Sequence, residues 1–124
     1  MAKTIRDLLL ARLGAPTTPF TNRAGSSVGT TAALVLRNDP SRIAFLFVNL
    51  SLNTIFLTPV GVPSSTNGIA LAASGGSVMV LWEEDGEMTA WEWRAVATAA
   101  ASTFLALEAI LAPESLHVPE GPAG

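Results

Sequence analysis

Ser41-Arg42-Ile43-Ala44-Phe45-Leu46-Phe47-Val48-Asn49-Leu50-Ser51 is the stretch that decides the fold. Ile43 to Val48 is apolar without a break, as in a central strand covered on both faces. Asn49 and Ser51 bring the turn chemistry that ends it. The same alternation of short apolar runs and turn residues continues outward. Strands are expected at 32–37, 42–51, 54–58, 69–72, 77–82, 90–98 and 103–111. They are separated by Asn38-Asp39-Pro40, Leu52-Asn53, the run from Pro63 to Gly68, Ser74-Gly75-Gly76 and Asp85-Gly86. Trp91, Trp93, Ala95 and Ala97 alternate with Glu92 and Arg94, so one side should meet a core and the other water. The alanine-rich run 95–101 favours helix by propensity; it is read here as two strands around a turn. Seven short strands at this spacing predict an all-β fold, an antiparallel β-sandwich or jelly roll.

Residues 4–13 depart from that pattern. Ile5, Leu8, Leu9 and Leu13 recur at three- and four-residue steps and form the stripe of a short helix. Thr4 and Asp7 make a capping box with Asp in place of Glu, and Gly14 followed by Pro16 supplies the stop. A helix of about ten residues is marginal alone in water, so the stripe must dock on its own domain or on a neighbouring subunit. Residues 15–31, with Pro16, Pro19, Gly25 and Gly29 among Thr, Ser and Asn, read as an extended arm. The expected organisation is a helix and arm over 1–31, a β-sandwich domain over 32–111, and an irregular Pro/Gly-rich tail over 112–124. The candidate subunit-interface residues are Ile5, Leu8, Leu9, Leu13 and Phe20.

The chain has 124 residues, enough for one core. Hydrophobic residues make up 49% and charged residues 14%, against roughly 25% charged in ordinary soluble domains. Some apolar surface is therefore expected to be covered by a partner. No cysteine is present, which excludes a disulfide framework or a thiolate site. No apolar run approaches the roughly 20 residues of a membrane helix, and Leu8–Leu10 is too short for a leader core. The chain reads as soluble and uncleaved. Charge is uneven. Lys3, Arg6, Arg12, Arg23, Arg37 and Arg42 against Asp7 and Asp39 give +4 over residues 1–42, while the remainder carries −7. Such polarity suits head-to-tail stacking, or it is scatter of surface charge.

Little here resembles catalytic machinery. His117 is the only histidine and has no neighbour at metal-ligand spacing. No serine lies in a Gly-x-Ser-x-Gly elbow, and Gly75-Gly76 lacks the lysine of a phosphate loop. Glu83, Glu84, Asp85 and Glu87 form a dense carboxylate cluster without the alternating ligands of a calcium loop, and read as a solvated hairpin loop. No catalytic residue, metal ligand or cofactor is assigned. Trp82, Trp91 and Trp93 are the candidates for stacking against sugar rings, or else belong to the core or an interface. A sparse basic front and an acidic remainder argue against direct nucleic-acid binding.

Arg42 to Ser51, then Thr54-Ile55-Phe56-Leu57, then Gly68 to Ser77, resembles a group of small structural proteins of tailed bacteriophages. The shared pattern is an Arg-led apolar strand ending in Asn-x-Ser, a second strand, a Gly-Ile-x-Leu strand, a Gly-Gly turn, and a closing strand ending near a Glu such as Glu108. The resemblance covers roughly 32–110. It implies a virion component, a β-sandwich that decorates or cements the capsid shell or belongs to a tail or fibre. The implied partners are the major capsid protein, other virion proteins, and further copies of this chain in a homo-oligomer.

Overall fold

The computed structural model describes residues 4–14 and 17–111. The expected tail, with His117, lies outside the described residues. The chain forms helix α1 (Ile5–Leu13) and strands β1 (Thr17–Thr21), β2 (Ser27–Val28), β3 (Ala33–Leu36), β4 (Arg42–Asn49), β5 (Ile55–Thr58), β6 (Ile69–Leu71) and β7 (Ser77–Leu81). A single helical turn, α2 (Trp82–Asp85), and a 3-10 turn (Gly86–Ala90) lead into β8 (Trp93–Ala97) and β9 (Ser102–Leu111).

Two antiparallel sheets result, ordered β1-β9-β4-β7 and β3-β8-β5-β6, with β2 also paired to β9. The pairs β1·β9, β3·β8, β4·β7 and β5·β6 are nested rungs of one long antiparallel ribbon. Winding that ribbon over itself brings β9 against β4 and β5 against β8. This is the jelly-roll solution to burying one face of each sheet. Phe47 stacks on Phe104 at 4.8 Å, and Phe45 meets Trp93 edge-on at 5.0 Å. Ile55, Leu57, Val35 and Leu36 fill the space between them. The alanine-rich run divides as expected. β8 ends at Ala97, Ala101 takes a left-handed φ of 57° in the turn, and β9 begins at Ser102.

Three expectations are corrected. Residues 17–28 are not a free arm, because Thr17–Thr21 pairs with Leu107–Leu111 and Ser27–Val28 with Ser102–Thr103. Val28 enters the core. The cause is the ten-residue β9, whose outer edge carries backbone groups that need partners. Second, the acidic segment is not a hairpin loop. β7 stops at Leu81, whose N–H donates to Asp85 Oδ2 at 3.0 Å, and this bond turns the chain into α2. Third, Trp91 and Trp93 do not share a face. Trp91 closes the 3-10 turn, and the alternation begins only at Trp93. The capping box does form. Asp7 N–H donates to Thr4 Oγ1 at 3.1 Å, and Thr4 N–H to Asp7 Oδ2 at 3.2 Å.

Asn49 closes one end of the sandwich. Fully buried, its Nδ2 donates to the carbonyls of Asn53, Leu71 and Ala72, and its Oδ1 accepts from the N–H and hydroxyl of Ser51. The Gly-Gly turn packs against the same place, where a Cβ on Gly76 would run into the Ala72 backbone. Asn49→Ala strips the partner from several groups, at about 1–3 kcal/mol for each one left buried and unpaired. The expected result is a loss of about 3 kcal/mol, read as a lower urea midpoint at unchanged slope.

Candidate interaction surface

Strand β4 is apolar on both sides, yet among the described residues only one side faces the second sheet. Phe45 and Phe47 point into the core, while Ala44, Leu46 and Val48 point outward and are half-buried. The register sets Pro19, Ala109, Ala44 and Leu81 in one row across the outer face. Thr21, Leu107, Leu46 and Met79 form the next row, and Leu105, Val48 and Ser77 the third. None of these eleven side chains carries a charge. Met79 is 58% exposed and Leu107 36%. A shallow apolar hollow of about 230 Å³ lies between Pro19, Leu46, Met79 and Leu107.

Helix α1 presents Ile5 and Leu8 to solvent as well. The side chains of Leu9 and Leu13 lie outside the described residues. Arg12 reaches the body of the protein, ion-paired to Glu83 at 2.7 Å and placed over the Trp82 ring at 5.5 Å. Phe20 sits exposed on β1 beneath the Arg23 guanidinium, 4.8 Å from the ring centre. Of the five expected interface residues, Ile5, Leu8 and Phe20 are therefore placed at the surface.

The tryptophans separate. Trp93 is 1% exposed, and its indole N–H donates to the Met88 carbonyl at 3.0 Å. That burial removes it from the stacking candidates. Trp91 is 41% exposed and Trp82 half-buried. Two adjoining hollows meet at Pro40, Glu87 and Ala90, one of about 370 Å³ reaching Trp82 and one of about 280 Å³ reaching Trp91.

A buried ionic cluster holds that region in place. Arg23 and Arg42, counted from the sequence among surface charges, converge on Glu108, which is 2% exposed. Arg23 grips it with two bonds, Nε to Oε1 at 2.7 Å and Nη2 to Oε2 at 2.8 Å. Arg42 Nη1 adds a third at 2.6 Å. Arg23 Nη2 also reaches Asp39 Oδ2 at 2.7 Å. The other two donor groups of Arg42 hold the carbonyls of Thr89 and Trp91, at 2.8 and 2.6 Å. The cluster thus ties β4 and β9 to the 3-10 turn and sets Trp91 at the surface. Burial by itself would raise the Glu108 and Asp39 carboxyls, but the arginine hydrogen bonds outweigh it and hold both below the usual carboxylate range. The bond to Glu108 raises Arg23, whereas burial lowers Arg42.

Comparisons with protein-family models, with curated proteins and with solved structures give no match to this chain.

Proposed function

We propose that this chain is a non-enzymatic structural subunit of a tailed-bacteriophage virion, a decoration or cement protein that stabilises the shell through subunit contacts. The observation that carries the reading is the uncharged outer face of the β1-β9-β4-β7 sheet. Three rows of apolar and small residues without a charge are a surface for another protein rather than for water. The exposed Ile5 and Leu8 of α1 add further apolar area, and the jelly roll supplies rigid shape. Burial at roughly 25 cal/mol per Å² is modest for one contact, but it accumulates when a contact is repeated over many copies.

Quantitative mass spectrometry of purified particles tests this. Hundreds of copies per particle are expected for a shell component, a dozen or fewer would move the protein to the tail, and absence from particles would refute the proposal. A truncation gives a finer test. Removing residues 1–14 takes away α1 but leaves β1, β2 and the Arg23 cluster. The expected product has an unchanged β-type circular-dichroism spectrum and at least tenfold lower incorporation. Normal incorporation would exclude α1 from the contact.

A sugar-binding module is the second reading, favoured by Trp91 on the rim of a hollow that also holds Glu87 and Asn38. Aromatic faces stack on the apolar faces of sugar rings while carboxylates and amides take the hydroxyls. On this reading Trp91→Ala abolishes binding on a glycan array at unchanged melting temperature. Absence of any glycan signal from the unsubstituted protein would dismiss it.

A further inference from the structure

Among the described residues strand β7 has an open outer edge, and we infer that it pairs with β7 of a second copy, antiparallel about a two-fold axis at Val78. The inference deepens the proposed function by naming one of its partners, and it rests on that reading for its biological setting. Its structural basis is separate.

Unpaired sheet edges invite other strands, and folded proteins ordinarily blunt them. Three edges here are blunted. On β1, Pro19 takes a position whose amide would face away from β9, as the Asn22 N–H bond to the Ala106 carbonyl fixes the alternation. On β3, the register breaks between Leu34 and Leu36. β6 is only three residues long. β7 has none of these devices. Its five residues Ser-Val-Met-Val-Leu include no charge and no proline, and they run in unbroken register against Ala44–Val48.

The direction of its backbone groups follows from two bonds. Asn49 N–H donates to the Gly76 carbonyl, so Gly76, Val78 and Val80 face β4. Leu81 N–H donates to Asp85 Oδ2, so Leu81, Met79 and Ser77 face outward. Asp85 thereby caps the outward amide of Leu81 and leaves the N–H and C=O of Ser77 and Met79 as the pairing groups. A two-fold axis at Val78 sets Ser77 of each copy opposite Met79 of the other and joins these groups in four hydrogen bonds.

A second copy fits this edge for two further reasons. Antiparallel order carries the acidic segment Glu83–Glu87 of each copy to opposite ends, each beside the uncharged Ser74-Gly75-Gly76 turn of the other. It also joins the two uncharged outer faces into one, with the exposed Met79 of each copy at the seam. A ribbon of eight strands then presents a continuous apolar surface to the particle.

Sedimentation equilibrium of the full chain, with amide hydrogen exchange at Ser77 and Met79, tests the pairing. The expected result is a species of twice the 12.8 kDa chain mass at micromolar concentration, with both amides protected. Ser77→Pro and Met79→Pro each delete one outward N–H and leave the bonds to β4 in place. Each should weaken the dimer at least tenfold while the circular-dichroism spectrum is kept. Fast exchange of both amides in solution and in assembled particles would overturn the pairing. So would a dimer that survives both prolines but dissociates on Leu107→Glu, which would assign it to the sheet face and leave the proposed function standing. A β7-paired dimer absent from purified particles would instead sink the proposed function and keep the pairing.

Discussion

Glu108→Ala should cost about 3–5 kcal/mol, the expected penalty for removing one partner of a buried ion pair. A domain stable by only about 5–15 kcal/mol in total would be brought close to unfolding. The reason is what remains. The Arg42 side chain is wholly enclosed, and without Glu108 it keeps two carbonyl partners but no negative charge in contact. Arg23, partly exposed and still bonded to Asp39, can turn toward water. Replacing Glu108 and Arg42 together by leucine should therefore cost less than Glu108→Ala alone, since no uncompensated charge is then left inside. Differential scanning calorimetry of the three proteins checks that order. Acid should reproduce the loss. The folded-state values of Glu108 and Asp39 lie below their unfolded ones, so their contribution is complete above the ordinary carboxylate range near pH 4. It disappears as the pH falls through the lowered folded values. A melting temperature that is flat from pH 7 to about 5 and drops steeply below about 4 is expected. The drop should be shallower in the double-leucine protein.

Leu107→Glu should leave the fold intact and abolish assembly. Leu107 lies in the middle row of the uncharged face, between Thr21 and Leu46, and already touches water as a monomer. A glutamate there is solvated in the free protein, so the melting temperature should change little. Covering the same carboxylate under an apolar partner costs several kcal/mol, and every 1.4 kcal/mol is a factor of ten in affinity. Binding to particles should fall at least a hundredfold, measured by co-sedimentation. Ala70→Glu is the control, because Ala70 is an exposed residue of β6 in the other sheet. It should bind normally. Equal loss in both variants would point to net charge rather than to the face.

The strands from β3 onward are legible because each is a short apolar run stopped by turn residues, and local chemistry is enough to place them. Thr17-Thr18-Pro19-Phe20-Thr21 is not legible in the same way. Its strand conformation depends on Leu107–Leu111, some ninety positions downstream, and a proline inside five residues argues locally against a strand. Trp91 misleads for a related reason. The period of two holds in β8, but Gly86–Ala90 winds as a 3-10 turn and the alternation cannot be carried back across it. The ionic cluster left one usable trace. Glu108 occupies the same parity as Phe104, Ala106 and Ile110, all inward-facing, which marks it as a buried carboxylate in need of cations. Which arginines answer it depends on the tertiary fold, since Arg23 comes from 85 positions away. The uncharged outer face was present in the apolar run from Ile43 to Val48. There the sequence could say that both sides are greasy, but not that only one of them faces the second sheet.

Strand β9 is the hub of its sheet, bonded along one edge to β1 and β2 and along the other to β4, and it is also the last of the described strands in chain order. During synthesis at about 5–20 residues per second, β1 and β4 leave the ribosome several seconds before the strand that must lie between them exists. The sheet cannot close until translation has passed Leu111 and that strand has cleared the exit tunnel. Until then the nascent chain holds the apolar β4 paired on one edge at most, to β7, with the edge meant for β9 open, the condition in which exposed strands aggregate.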